Sequence, residues 1–546
     1  MFGLFMNFKN IFNNSKYTLK LSIIFTIVVI LIGRPYNLLV NDDGIFIRNV
    51  KNFYDETFYL HPLTAPTFYF QAITGFITTK LFGFSFEILR ILNITLAFFS
   101  SILTFIFLKK TTKNQVISLI VTLTFIANPF FWFLSYSYMT EIHFFFLASV
   151  SLLVFLTYLK NTKLKNAIYL SIVLSLLFLV RQIGLLFTIS FILSIFIVNK
   201  KLTKKDLSIL IFPTLVFLWY QYFSKTAEYS EAGIVETVKN FFDYSFMTDI
   251  FAKRVFDSAV YIGLFTLPVI PVILFNKNIY KNTINKTKII IVTIIITPFI
   301  LKLGEKVQNH FTFPTLPNVF TLKGFYPSAI PSSDRFVNYP LFYNLHTSLL
   351  IIGVISFILL IKVFVFKFNI YTKLNQNQKI IYLAGLFNLL FITAITLAFR
   401  VVYDRYIFLI FFLLLVPISY LLNFKLNFLS KTFSLCIIMS FFIISIVFEK
   451  DYISWNHKRN EIITYATKTY NQNICDLEGI GEWEDYLYYD CKDIQDKLKK
   501  NLRISWQDSD NIEGKQYIKL KEFKFKSYLG KQENKLYLLQ KVTNEN

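Results

Sequence analysis

Residues Leu38–Phe46 read LLVNDDGIF: Asp42, Asp43 and Gly44 stand directly behind an apolar run of about 20 residues, the length that crosses a bilayer core. Carboxylates are costly in lipid, so this stretch marks where a first membrane helix surfaces. The rest of the chain agrees. The composition is 55% hydrophobic and only 16% charged, and apolar runs long enough to span recur from Leu19 to Phe448. Backbone in lipid must satisfy its own hydrogen bonds, which makes helices the natural form of these runs. The expected fold is an all-α polytopic membrane protein. No small-residue cleavage site follows Leu19–Val40, so that segment reads as a retained anchor rather than a signal peptide.

A net charge of +23 would suit a nucleic-acid partner, but its placement argues against one. Lysines crowd short loops: Lys109, Lys110 and Lys113; Lys160, Lys163 and Lys165; Lys200, Lys201, Lys204 and Lys205. The intervening loops carry acids such as Asp42, Asp43, Glu141, Glu228 and Asp404. This alternation is the positive-inside rule, so the lysine loops are cytoplasmic and the acidic loops face outward.

That assignment allows a parity test. The run 166–198 has about 33 residues and lysine-rich flanks, so it must fold back as a hairpin with Arg181, Gln182 and Gly184 at its outer tip. Each arm spans only about 22 Å, which leaves the tip sunken. Between the outer Asp42 and the inner Lys109 the number of crossings is odd. The weaker stretch 63–82, with Pro62, Pro66, Gln71 and Gly75, therefore reads as an interfacial or re-entrant helix, and 86–108 as the span. Further spans are expected at 19–40, 115–134, 141–159, 166–180, 184–198, 208–223, 256–275, 289–303, 347–366, 380–398, 407–423 and 432–448, about 13 in all. The amino terminus is then cytoplasmic and the carboxyl terminus outside. Long outer loops fall at 41–62, 224–255 and 304–346.

From about residue 449 the composition turns polar, with alternating stretches such as KQYIKLKEFKFKSYL and KLYLLQKV. The expectation is a membrane domain over 1–450 and a small extracytoplasmic α+β domain over 451–546. Cys475 and Cys491 enclose about 15 residues on the oxidising side, where a disulfide would contribute roughly 3 kcal/mol; two free thiols are the alternative. Cys436, inside a span, reads as packing.

Ionisable groups beside spans are functional candidates. Asp42 and Asp43 are either solvent-exposed helix-end acids or a pair in which one carboxylate serves as a base. His61 opens the interfacial stretch. Glu141, in SYSYMTEIHFF, is a second carboxylate or a helix-capping acid. Arg181 at the sunken tip is a ligand for a lipid phosphate or a snorkelling side chain. Arg400, Asp404 and Arg405 share the short outer turn FRVVYDRYIF. Asp42, Asp43 and Glu141 are hard oxygen ligands compatible with a divalent metal, though their spacing demands none and no cofactor is required. No phosphate-binding glycine loop, HExxH or nucleophile elbow is present.

In order and membrane side, these stretches resemble the type-C polytopic glycosyltransferases, in the branch of the protein O-mannosyltransferases and the lipid A aminoarabinose transferases. That family places an Asp-Glu-type pair after its first span, where NDDGIF stands here. A His-Pro-Pro-Leu stretch follows in the mannosyltransferases; HPLTAP at 61–66 is a partial match lacking the adjacent second proline. LFGFSFEILRILN carries Arg90, LVRQIGLLF the hairpin tip and YDRYIF the late turn. The resemblance covers residues 1–450; residues 451–546 match nothing beyond an outer domain that some relatives have.

The resemblance implies the GT-C fold; the Lys-, Asn-, Ile- and Phe-rich composition, as of an AT-rich genome, suggests a prokaryotic plasma membrane. The resemblance also implies a polyprenyl-phosphate sugar donor and a protein, lipid or glycan acceptor whose hydroxyl attacks the anomeric carbon at the outer face, with inversion. Asp42 is then the base, and Asp43 orients it or holds the acceptor. Glu141 is an acceptor-side or second carboxylate, and Arg181, Arg90, Arg405 and His61 are ligands of the donor phosphate. Two other readings stay open: a transporter or flippase of lipid-linked sugar, and a polysaccharide polymerase or ligase. Transporters place their sites near the bilayer midplane, often between internal repeats, and no repeat is visible here.

Overall fold

The structure, a computed structural model, describes residues 16–226, 251–275, 340–366, 370–399, 402–423, 426–480 and most of 483–542. Gaps fall at 36, 41, 58, 62, 63, 65 and 66 and within the C-terminal domain, chiefly 492–500, 506–510 and 529–533. The expected span at 289–303, most of the loops 224–255 and 304–346, Pro62, Pro66 and Arg400 lie outside the described residues.

The chain is mainly helical. Among the described residues seven helices are long and apolar enough to cross a membrane: Phe86–Thr112, Thr140–Lys160, Gln182–Asn199, Thr347–Val365, Gln376–Ala398, Asp404–Leu421 and Phe428–Thr469. Two bent pairs raise the number to nine. Gln115–Ile126 and Pro129–Tyr136 meet at 60°, because Pro129 cannot continue the first helix and the Asn128 side chain caps the second through Phe130 N. The other pair bends by 55° between Phe265 and Leu267, just before Pro268. Three shorter apolar helices, Lys16–Ile32, Leu164–Phe178 and Ile211–Thr226, occupy three further expected positions.

Packing between spans is close. Gly263 and Gly353 face each other, and a Cβ on Gly263 would collide with the Gly353 carbonyl, so the backbones of Ala252–Phe265 and Pro340–Phe366 touch directly. Apolar side chains also remain exposed on the outside of the bundle, including Leu215 and Leu218 on one helix and Met439 and Ile443 on another. An apolar outer surface on an apolar core is the signature of a lipid-facing bundle, and the chain is a multi-pass membrane protein.

Helix ends gather at two opposite faces. At one, Gln378 Nε2 donates to Thr111 O, Asn423 Nδ2 to Thr112 O, Asn377 Nδ2 to Leu159 O and Gln376 Nε2 to Asn199 Oδ1. These are the lysine-flanked ends. The opposite ends of the same helices carry Arg90, Glu141, the 182–184 turn and Arg405. The charge alternation read in the sequence therefore matches a physical separation of faces.

The helix Phe428–Thr469 has 42 residues and continues without a break through residue 450, so the expected domain boundary falls inside one rigid rod rather than at a linker. Cys436 sits exposed on this helix instead of packing inside. The C-terminal part of the rod packs on a five-stranded sheet, ordered β1-β2-β5-β4-β3: β1 Leu477–Glu478, β2 Leu502–Ser505, β3 Asn511–Ile512, β4 Lys515–Phe525 and β5 Asn534–Lys541. β1 is parallel to β2 and the other pairs are antiparallel. Alternation in β4 buries Tyr517, Phe523 and Phe525 and leaves lysines outside, with a register shift between Lys519 and Lys521. Cys475 and Cys491 are disulfide-bonded, Cα atoms 5.5 Å apart.

Candidate functional site

The stretch LLVNDD does not end a helix. The first helix stops at Ile32; Gly33 takes φ +111°, and the chain then runs non-helically to a new helix, Asp43–Tyr54. The expected span 19–40 is thus shorter, and Leu38, Leu39 and Val40 are apolar because they are buried against protein. Buried irregular backbone must find partners. Arg90 Nη2 donates to Leu38 O, Asn456 Nδ2 donates to Leu39 O at 2.6 Å, and Val40 N donates to Asp43 Oδ1 at 2.7 Å.

This accounting assigns Asp43 and Arg90. Both side chains are fully buried and paired at 2.9 Å, and Asp43 Oδ2 also accepts from Tyr138 N at 3.2 Å. Burial pushes the Asp43 carboxyl up to about 6 despite Arg90. The pair pins the loop that presents Asp42, and both side chains lie within protein rather than in the row of charges that follows.

Asp42 occupies the N-cap position of its helix, but its carboxylate makes no capping bond. It turns instead to Arg405, Oδ2 to Nη2 at 2.6 Å, with the Asp42 side chain 33% exposed. Arg405 Nε lies 3.7 Å from Glu141 Oε1, and Arg181 Nη1 donates to the same oxygen at 2.9 Å. Glu141 likewise makes no capping bond, though it stands in the first turn of Thr140–Lys160. The result is a row of alternating charge, Asp42–Arg405–Glu141–Arg181. Four separate elements build it: the start of helix 43–54, two helix first turns and the hairpin tip. Tyr406 flanks both guanidiniums, 5.0 Å from Arg181 and 5.4 Å from Arg405, and Tyr403 lies 5.3 Å from Arg405. Glu141 Oε2 is buried without a hydrogen-bond partner among the described residues. The row opens at both ends, Asp42 at one and Arg181, 18% exposed, at the other.

The hairpin tip depends on Gly184. A Cβ there would stand 2.6 Å from Leu177 O, so only glycine lets the 3-10 turn Gln182–Gly184 fold back on the preceding helix and aim Arg181 at Glu141. The interfacial stretch forms a helix, Tyr69–Phe82, with Ile73, Ile77 and Leu81 exposed along one stripe. Phe70 N donates to Leu179 O, tying it to the hairpin, and Gln71 and Tyr138 exchange hydrogen bonds, side chain to carbonyl, at 2.9 Å each. His143 is buried under them, 3.5 Å from Thr74 Oγ1.

His61 does not join the row. It is fully buried, its backbone N–H donates to Asn49 Oδ1, and burial together with Arg48 pushes the imidazole down to about 4. His61 therefore stands apart from the four charges of the row.

The tie from the outer domain was not legible. Arg48 makes two bonds to Asp490 at 2.8 and 3.0 Å and lies over Tyr486, while Phe86 packs against Trp483 and Tyr486. The segment that clamps helix 43–54 is thus the one the disulfide holds. Among the described residues no group of three His, Cys, Asp or Glu is placed to hold a metal ion.

No family model and no curated protein matches the sequence. Among solved structures the chain is similar to the archaeal oligosaccharyltransferase AglB from Archaeoglobus fulgidus in complex with an inhibitory peptide and a dolichol-phosphate. That match has a TM-score of 0.44 and 11% identity, over 90% of this chain and 69% of that one. A second Archaeoglobus fulgidus oligosaccharyltransferase structure, tethered to an acceptor peptide through a disulfide, matches with a TM-score of 0.42, 11% identity and the same coverage.

Proposed function

We propose that the chain is an integral-membrane glycosyltransferase that moves a sugar from a polyprenyl-phosphate donor to an acceptor hydroxyl at the outer face of a prokaryotic plasma membrane. The observation that carries this reading is the row Asp42–Arg405–Glu141–Arg181, gathered at the face opposite the lysine-rich ends. Its parts suit the chemistry. The Asp42 carboxylate takes the proton of the acceptor hydroxyl. The freed oxygen attacks the anomeric carbon, and the bond to the phosphate oxygen breaks with its electrons leaving on the lipid phosphate. Attack opposite the leaving group inverts the anomeric centre. Arg181, the more accessible cation of the row, receives the developing phosphate charge, where a fixed guanidinium costs no reorganisation. Arg405 holds Asp42 in place from behind. The buried Glu141 holds the guanidiniums of Arg181 and Arg405 together, and its second oxygen, Oε2, has no hydrogen-bond partner among the described residues. The lipid enters past the Tyr69–Phe82 helix, whose exposed apolar stripe suits an interface.

The test is a transfer assay with purified protein in lipid, a pool of labelled polyprenyl-phosphate monosaccharides, and Asp42→Asn as the comparison. Asp42-dependent release of polyprenyl phosphate, with label passing to an acceptor or to water, is the expected result. Turnover by Asp42→Asn at the wild-type rate would remove Asp42 as the base. Movement of labelled lipid between leaflets without cleavage would replace the transferase by a transporter.

A further inference from the structure

The outer half of the long helix has a second face that the row does not use. Asn456 and Arg459 point to the membrane domain, where Asn456 holds Leu39 O. His457, Glu461, Thr464 and Lys468 point the other way and are exposed, at the three- and four-residue spacing of one helical face. Together with the edge of β4 that face forms an open groove of about 890 Å³. This is within the range of sites that enclose a small ligand.

The lining has a definite chemistry. Lys458 and Lys468 come from the helix, and Lys524 and Lys526 from the strand. Glu461 is the only carboxylate among the lining residues, and it is already paired with Lys458 at 2.6 Å. The groove therefore keeps a surplus of positive charge. Two rings line it, Tyr465 and Phe525, and neutral hydrogen-bonding side chains lie between them, among them Asn460, Thr464 and Ser454. Tyr465 is braced by Phe523, with ring centroids 5.6 Å apart, and carries Lys521 on its face at 3.8 Å. Phe525 is only 5% exposed and Lys521 covers one face of Tyr465, so recognition rests on the hydroxyls and amides that meet other hydroxyls and on the lysines around them, a mixture that suits a charged sugar chain.

We propose that this groove binds an anionic oligosaccharide, a sugar chain bearing carboxylate or phosphate groups. On the transferase reading above, it is a holding subsite for the acceptor, which names the acceptor as an anionic glycan. Geometry supports the link. The membrane-proximal end of the groove, where Ser454 Oγ donates to Lys526 O, is within one helical turn of Asn456. Asn456 fixes Leu39, three residues before Asp42. The groove and Asn456 lie on opposite faces of that helix, so a chain held in the groove reaches the row by passing around it.

The test measures binding and needs no turnover, so it stands apart from the transferase assay. The full chain in nanodiscs of neutral lipid is titrated with hexagalacturonate, with neutral maltohexaose of the same length, and with vesicles containing phosphatidylglycerol. The wild type and Asp42→Asn are expected to bind hexagalacturonate equally, with affinity falling as salt rises. Lys524→Ala/Lys526→Ala, both at exposed positions, weakens it by about tenfold or more, and maltohexaose binds at least about tenfold more weakly than hexagalacturonate. Hexagalacturonate binding unchanged in the double lysine variant overturns the proposal, as does absence of binding to the wild type. Lysine-dependent capture of the anionic vesicles in place of the sugar overturns it in favour of a headgroup site.

Discussion

Asn at position 43 probes the buried pair more directly than any other change. Asp43 accepts three hydrogen bonds through two oxygens: Val40 N on Oδ1, and Tyr138 N and Arg90 Nη2 on Oδ2. Asparagine has one acceptor and one donor at these positions, so its amide NH₂ must face at least one of those N–H groups. It also leaves the Arg90 guanidinium buried without a counter-charge. Removing one partner of a buried pair costs about 3–5 kcal/mol. Because Arg90 also holds Leu38 O, the damage falls on the loop that presents Asp42. Arg90→Met alone leaves a buried carboxylate without its counter-charge, and Asp43→Asn/Arg90→Met removes both charges together. The double variant is therefore expected to be more stable than the sum of the singles implies, with a coupling of about 2–3 kcal/mol. Thermal unfolding of the four proteins in one detergent gives that cycle, and protease sensitivity between residues 33 and 42 reports the loop. A coupling near zero would refute the pairing. So would Asp43→Asn with wild-type stability and no transfer, which would return Asp43 to the chemistry, or Arg90→Met with wild-type stability and weakened binding of polyprenyl phosphate, which would return Arg90 to the donor site.

The same pair sets a pH dependence. Burial raises the folded-state value of Asp43 from 3.8 to about 6, so its contribution to stability is fully present below about pH 4 and is lost as pH rises through 6. His61, pushed down to about 4, acts the opposite way: its contribution is present above its ordinary value and lost as pH falls through 4. Comparing Asp43→Asn with wild type isolates the first: the difference in unfolding free energy should change across pH 4–6, and a constant difference would count against the buried carboxyl. Arg405→Lys replaces a planar fork that reaches both Asp42 and Glu141 with a single ammonium; transfer should fall about a hundredfold with the fold intact, and activity within about threefold of wild type would show that Arg405 does not hold the base. Gly184→Ala forces a methyl against Leu177 O and should cost about 1–3 kcal/mol while moving Arg181; unchanged stability together with unchanged donor affinity would disconnect the tip from the row.

Much of this was legible before any coordinates. The charge alternation separated the two faces, and parity placed Arg181, Gln182 and Gly184 at a turn, where the chain has a 3-10 turn between two 15-residue helices. Asp42, Glu141, Arg181 and Arg405 were each singled out as charges beside apolar runs, and they meet. Residues 40–43 were harder. LLV reads as the end of a span because apolarity does not say whether a residue faces lipid or protein. What separates the two is where the backbone N–H and C=O groups find partners, and the partners here, Arg90 and Asn456, lie 52 and 417 residues away.

That His61 and Arg90 are buried was hidden for a related reason. A charge or imidazole beside a membrane span looks the same in sequence whether it faces a ligand or is spent on its own chain. The tie between Arg48 and Asp490 and the groove along the long helix gave no local signal, since each joins a helix to a segment that becomes its neighbour only when the outer domain folds back. The sequence alone determined membrane residence, the separation of lysine-rich from acidic ends and which charges stand at helix ends, because those follow from the local cost of placing charge and backbone in lipid. Tertiary structure alone decided which of two adjacent aspartates is buried and which is presented. That choice depends on long-range partners, and a buried charge is set by what surrounds it rather than by its neighbours in the chain.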